Sequence, residues 1–293
     1  MGYRKILVPF TGSDRHSGVL PLAMSVAKEF GAYCEILFIR PEPYQALPYL
    51  GDAAPGVVVK EIVESANQAA DASMKHLKAA ASKAAEGVGA KLTEGAVPAG
   101  TFSVKLVERT GDSITVGAEQ SRLCDLAIML GGAAHPEIVT AGALSGILLR
   151  TGRPVLVLPG TNYRGMIGRT AIIAWDGSTE AANAIRGALP FLRKAGTVRV
   201  LTAKQVPEDT AHVEPSMETL GTYLDVCDVK YVHATVDPGA KGVARTLLDE
   251  AASAKADLLV MGAYSHSRVR EFLLGGVTQH ILEHTSIPVL IAH

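Results

Sequence analysis

At 293 residues the chain exceeds one ordinary domain of about 100 to 200 residues, so two domains are the starting expectation. Its 48% hydrophobic, 19% charged and 5% aromatic residues fit an Ala/Val/Leu-rich α/β protein with parallel strands covered on both faces, and exclude a disordered chain. A formal net charge of -1 supplies no basic field for a nucleic acid, and no apolar run reaches the roughly 18 residues of a membrane span.

Met1 to Lys5 lead straight into Ile6-Leu7-Val8-Pro9-Phe10, a short apolar strand rather than the core of a secretory signal. Thr11-Gly12-Ser13-Asp14 then reads as a turn and helix cap, followed by a helical pattern through Gly31. The spacing predicts a strand at about 33 to 39, a loop over 41 to 55, an Ala-rich helix within about 57 to 86, a strand near 90 to 97 and a helix near 102 to 123. Apolar strands at Asp125–Met129 and Pro154–Leu158 close the first half, and Gly160 to Gly168 reads as a linker. The second half opens with Ala171–Trp175, Asp176-Gly177-Ser178 and a helix. Strands near 197 to 203 and 229 to 236 follow, with helices near 215 to 226 and 241 to 254, then Asp257–Met261 and Pro288–Ala292.

The halves are a repeat. Gly12 and Gly177, Ser13 and Ser178, and Gly31 and Gly196 are each 165 residues apart, so the first strand–turn–helix unit recurs without a gap. Alternating strands and helices imply right-handed βαβ crossovers, hence an α/β chain of two tandem doubly wound parallel-sheet domains over 1–160 and 169–293. Cys34, Cys124 and Cys227 are odd in number, far apart and without C-x-x-C spacing, which points to a reducing compartment, the cytoplasm.

The strongest local signal is Met261-Gly262-Ala263-Tyr264-Ser265-His266-Ser267-Arg268, followed by Gly275-Gly276-Val277-Thr278. A Gly-rich turn between a buried strand and a helix brings backbone N–H groups and a positive helix end towards an anion such as phosphate. These features resemble the universal stress protein family in its tandem form, across essentially the whole chain. The family's signature is G-x-x-G, nine residues, then G-[ST]; here Gly262 and Gly275 fit, Ser265 stands for the second glycine and Gly276 for the hydroxyl residue.

The resemblance implies a Rossmann-like, adenine-nucleotide-binding fold that takes ATP or a related nucleotide, with Mg as a candidate companion, mainly in the second half. It places the backbone of Gly262, Ser265, Gly275 and Gly276 at the phosphates, with His266 and Val277 beside them. It places Asp176, with Gly177, near the nucleoside, and main-chain groups near Lys204 at the adenine. Asp176 is equally a candidate N-cap of its helix. The first half has Thr11 where the second has Asp176, and Pro154 follows Leu130 by 24 residues where Pro288 follows Gly262 by 26, so its loop reads as a degenerate copy.

Other motifs fit less well. His280-Ile281-Leu282-Glu283-His284 matches H-x-x-E-H, but the tail after it lacks an acidic third zinc ligand, so these histidines read as surface or packing residues. Gly239-Ala240-Lys241-Gly242 lies outside any G-x-x-x-x-G-K-[ST] frame and reads as a helix entry. No general base stands out, so nothing beyond slow ATP hydrolysis is expected. The expectation is therefore a cytoplasmic, stress-responsive adenine-nucleotide binder, an intramolecular pseudo-dimer with homodimerisation left open. The alternative is a structural or signalling module that binds no nucleotide.

Overall fold

The computed structural model describes residues 2–10, 14–42, 56–95, 97, 100–131, 142–160, 163, 166–204, 216–263 and 275–293. In the first half β1 (Lys5–Phe10) is followed by a 3-10 turn at Asp14–Val19 and α1 (Leu20–Phe30). Then come β2 (Tyr33–Arg40), α2 (Gly56–Gly87), β3 (Ser103–Thr110), α3 (Ser113–Ser121), β4 (Leu126–Gly131), α4 (Gly142–Thr151) and β5 (Val155–Pro159). The second half repeats the order with β6 (Thr170–Ala174), α5 (Thr179–Leu192), β7 (Thr197–Ala203), α6 (Met217–Val226) and β8 (Val232–Val236). A 3-10 turn at Gly239–Lys241, α7 (Gly242–Ser253), β9 (Leu258–Gly262), α8 (Gly276–His284) and β10 (Val289–Ala292) complete it.

The strands form one ten-stranded sheet in the order β3-β2-β1-β4-β5-β10-β9-β6-β7-β8, so each half contributes a doubly wound parallel five. Central strands such as β4, buried at all six positions, lack the alternation of a one-faced sheet because helices cover both sides. The helices bury one stripe each: in α5 it is Ala181, Ala184, Ile185, Ala188, Phe191 and Leu192, at the three- and four-residue steps of a helix face. The repeat extends to its fastenings. Asp125 accepts hydrogen bonds from the amides of Arg4 (2.6 Å) and Lys5 (2.9 Å), and Asp257 accepts them from Gly168 (2.9 Å), Arg169 (3.1 Å) and Thr170 (3.0 Å).

The two fives meet through β5 and β10, which pair antiparallel with Leu156 opposite Leu290. Each of these leucines follows its closing proline, Pro154 or Pro288, by two residues, so a local two-fold axis passes between them.

One stretch differs from the sequence expectation. The third strand is Ser103–Thr110, not 90 to 97, and the helix after it begins at Ser113 rather than near 102. β3 lies at the sheet edge, half-exposed, and so carries Lys105, Glu108 and Arg109 where an apolar run was sought. Among the described residues, the more apolar segment before it contributes a single bridge, Leu92 to Val104. Gly111, at φ 148, turns the chain, and Asp112 caps α3 by accepting from the Thr115 amide at 2.8 Å. Residues 43–55 of the expected loop lie outside the described residues. No helix among the described residues is long and apolar enough to cross a membrane.

Candidate functional site

Strand order reverses direction between β1 and β4 in the first half and between β6 and β9 in the second. At such a reversal successive connections leave to opposite faces, and a crevice opens beyond the carboxyl ends of the two strands. In the second half Trp175 to Ser178 follow β6, and β9 ends at Gly262. α8 leads back into β10, which is parallel to β9, so its N-terminus at Gly276 lies at this same end of the sheet.

Asp176 is exposed, and its Oδ1 accepts from the Ser178 amide at 3.0 Å and from the Ser178 hydroxyl at 2.6 Å. Ser178 Oγ in turn accepts from the Ala181 amide at 3.0 Å, so the cap of α5 is Ser178 rather than Asp176. The carboxylate braces the cap from two residues upstream, a role its short side chain fits. Gly177 between them is held at φ 78, which a glycine adopts without the crowding a Cβ brings.

Gly262 is demanded by packing. A Cβ there would lie 2.6 Å from the Ala181 nitrogen and 2.9 Å from the Glu180 carbonyl carbon, so its absence lets the first turn of α5 rest on the end of β9. That end is held from the other side: the Ala263 amide donates to the Ala292 carbonyl at 2.9 Å, and His293 Nδ1 lies 3.1 Å from the Ala263 carbonyl. Asn183 Nδ2 donates to the His293 carbonyl at 3.2 Å. Ser178, Asn183 and His293 were not singled out from the sequence for these roles. An S-x-E start to α5 was the available signal for the first; the others depend on tertiary contacts.

Gly275 takes the N-cap position of α8 and carries no side chain to occupy the first-turn amides. Among the described residues, their chain neighbours aside, none comes within 4 Å of where a Cβ on Gly275 or Gly276 would stand, and Val277 beside them is exposed. Lys204 lies at the end of β7, the strand next to β6. Its amide donates to the Val236 carbonyl at 2.9 Å, continuing the β7–β8 ladder, and its Nζ lies 3.6 Å from Asp237 Oδ2. Ser265 and His266 fall outside the described residues.

The matching helix start in the first half is packed closely against α3. Gly142 precedes Pro154 by the same twelve residues that separate Gly276 from Pro288. A Cβ on Gly142 would lie 2.6 Å from Ile114 Cγ1 and 2.8 Å from Ser113 Oγ. One turn on, a Cβ on Gly146 would lie 2.4 Å from the Ile114 carbonyl oxygen, and on Gly117 3.3 Å from Ala143 Cα. Small residues thus let α4 lie directly on α3. The position equivalent to Gly146 in α8 is His280 rather than a glycine.

His280 and His284 stack at 4.2 Å on α8, and His284 Nδ1 lies 2.8 Å from the His280 carbonyl. Glu283 accepts from Gln279 Nε2 at 2.8 Å. Among the described residues no group of three or more His, Cys, Asp or Glu is placed to hold a metal. Lys241, in the helix entry after β8, lies 3.2 Å from Asp249.

Residues 169–293 match the sequence model of the Universal stress protein family. The universal stress protein Slr1230 of Synechocystis sp. is 25% identical over 297 residues, spanning 98% of this chain and 99% of its own. Among solved structures, a universal stress protein from Archaeoglobus fulgidus superposes with a TM-score of 0.64 at 14% identity, covering 98% of this chain and 95% of that one. A functionally unknown protein from Pseudomonas aeruginosa PAO1 superposes at 0.53 with 18% identity, covering 99% and 92%. At these identities the two structures speak for the fold alone. Residues 169–293 are thus similar to the universal stress protein family, and the chain along its whole length is similar to a protein of that family.

Proposed function

We propose that the protein is a cytoplasmic, stress-responsive binder of ATP or a related adenine nucleotide, and that the nucleotide occupies the second half. The observation that carries this reading is the contrast between the two helix starts. Among the described residues nothing lies within 4 Å of where a Cβ on Gly276 would project, at the same end of the sheet as Asp176, whereas the equivalent turn of α4 is packed against Ser113 and Ile114. Open amides at a helix N-terminus suit phosphate oxygens, and an exposed carboxylate at the end of the first strand suits ribose hydroxyls. In this reading Gly262 and Ser265 to His266 border the phosphates, and Gly177 lets the Asp176 turn stand clear of the ligand. The Lys204 amide is engaged in the sheet, so a main-chain contact to the base from that residue falls to its carbonyl. A Mg²⁺ ion carried by the phosphates would enter with them. The first half is architectural, its helix start closed by its own glycines.

Calorimetric titration with ATP, ADP and AMP tests this. Saturable binding of at least one is expected, weakened roughly ten- to a hundredfold in Asp176→Ala by loss of a charge-assisted hydrogen bond. Failure of all three to bind at millimolar concentration would sink the proposal.

A further inference from the structure

We infer that the joint between the two halves is a lock with two different faces, each fitting the opposite half and neither fitting a copy of itself. This stands on the joint alone, independent of the nucleotide reading. The local two-fold axis that relates Leu156 to Leu290 invites the opposite expectation, because a two-fold joint between identical units is self-complementary, residue i meeting its own equivalent.

Around the axis the equivalent positions carry complementary side chains instead. Glu29 and Lys194 are 165 residues apart, the spacing of the repeat, so they are the same position in the two halves, and they pair with each other at 3.0 Å. Lys194 Nζ also sits 4.2 Å from the centre of the Phe30 ring. Tyr3 and Gly168 are likewise equivalent, as are Phe30 and Ala195, and Leu22 and Gly187. The large member of two of these pairs is built into the joint. Tyr3, only 3% exposed, donates its hydroxyl to the Gly187 carbonyl at 2.6 Å and packs edge-on to Phe30 at 4.9 Å. Phe30 and Phe191 meet edge-to-face at 5.3 Å. The small member makes room: a Cβ on Gly187 would lie 2.6 Å from Pro154 Cβ.

A joint of two first halves would set Glu29 against Glu29 and Leu22 into the space Gly187 leaves for Pro154. A joint of two second halves would set Lys194 against Lys194, with Gly168 and Ala195 where Tyr3 and Phe30 fill the joint around Phe191. One mispairing repels and crowds; the other repels and leaves a void. The partner that this surface accepts is therefore the other half.

Substitutions that make the joint symmetric reproduce each mispairing inside the intact chain. Lys194→Glu and Gly187→Leu imitate the first half meeting itself; Glu29→Lys and Phe30→Ala imitate the second. Thermal unfolding of the full chain should show each charge reversal lowering the midpoint by roughly 1 to 3 °C at low salt, and Gly187→Leu by roughly 3 to 10 °C. The exchange variant Glu29→Lys with Lys194→Glu should melt above both single reversals, short of wild type by what Lys194 gains over the Phe30 ring. If both reversals leave the midpoint unchanged, or if the exchange variant melts as low as the single reversals, the inference is overturned. The charge variants carry the test even if Gly187→Leu fails to fold.

Discussion

The closed state of the first half rests on Gly146, and replacing it with alanine measures that closure directly. The added Cβ would stand 2.4 Å from the Ile114 carbonyl oxygen and 3.1 Å from Ile114 Cα, both backbone atoms that no rotamer change can move. Restoring ordinary contact requires α3 and α4 to part by about 1 Å, an overpacking cost of about 2 to 3 kcal/mol. Alanine's helix propensity offsets about 1 kcal/mol of this, for a net loss of about 1 to 2 kcal/mol. For a chain of this size that is a fall in melting temperature of roughly 2 to 8 °C. The matched control is Gly276→Ala, where nothing among the described residues lies within 4 Å of the new methyl and the midpoint should stay within about 1 °C of wild type. Circular dichroism melts of both variants are sufficient. A Gly146→Ala protein as stable as wild type would refute the close-packed reading of α3 on α4, and with it the structural contrast between the two helix starts.

Asp257→Ala removes the acceptor for three consecutive amides, Gly168, Arg169 and Thr170, and should cost about 2 to 3 kcal/mol in urea unfolding; a loss below about 0.5 kcal/mol would show those amides to be satisfied elsewhere. Asp112→Ala should cost about 1 kcal/mol through loss of the α3 cap. The Thr115 amide bond holds the Asp112 carboxyl below its ordinary pKa, so its contribution is present above the usual carboxylate range and lost as pH falls through the lower folded value; a variant with an unchanged acid-unfolding profile would contradict this. Burial pushes the Cys34 and Cys124 thiols up to about 12, so a thiol reagent at pH 8 should modify them only as fast as the protein opens, and immediate native-state labelling of either would be inconsistent with the fold. Because the unfolded thiols ionise lower, each also withdraws stability as pH rises from about 9 towards that folded value, which alkaline melts would register.

The first strand–turn–helix of each half was legible because every layer of signal agreed there: an apolar run, a Gly-Ser turn and a helical stripe, repeated 165 residues on. β3 was misplaced by thirteen residues because an edge strand keeps polar side chains and loses the apolar run by which a buried strand is found. At the site, Gly262 was recognised as special for its motif, but the structure gives it a further duty, admitting the first turn of α5. The Asp176 cap assignment moved to Ser178 because either side chain can reach a helix amide, and the backbone turn at Gly177 decides which one does.

By itself, then, the sequence determined what depends on neighbours along the chain: the alternation of strands and helices and the duplication. The tertiary structure decided what depends on approach between distant segments. It set Gly146 on the Ile114 carbonyl and so laid α4 on α3, where the second half has His280 at the same position. It also brought Glu29 to Lys194, two copies of one position, across the joint. Local periodicity specifies which face of an element is apolar; the distance at which two such faces meet is set by the side chains on both, and becomes definite only when they pack.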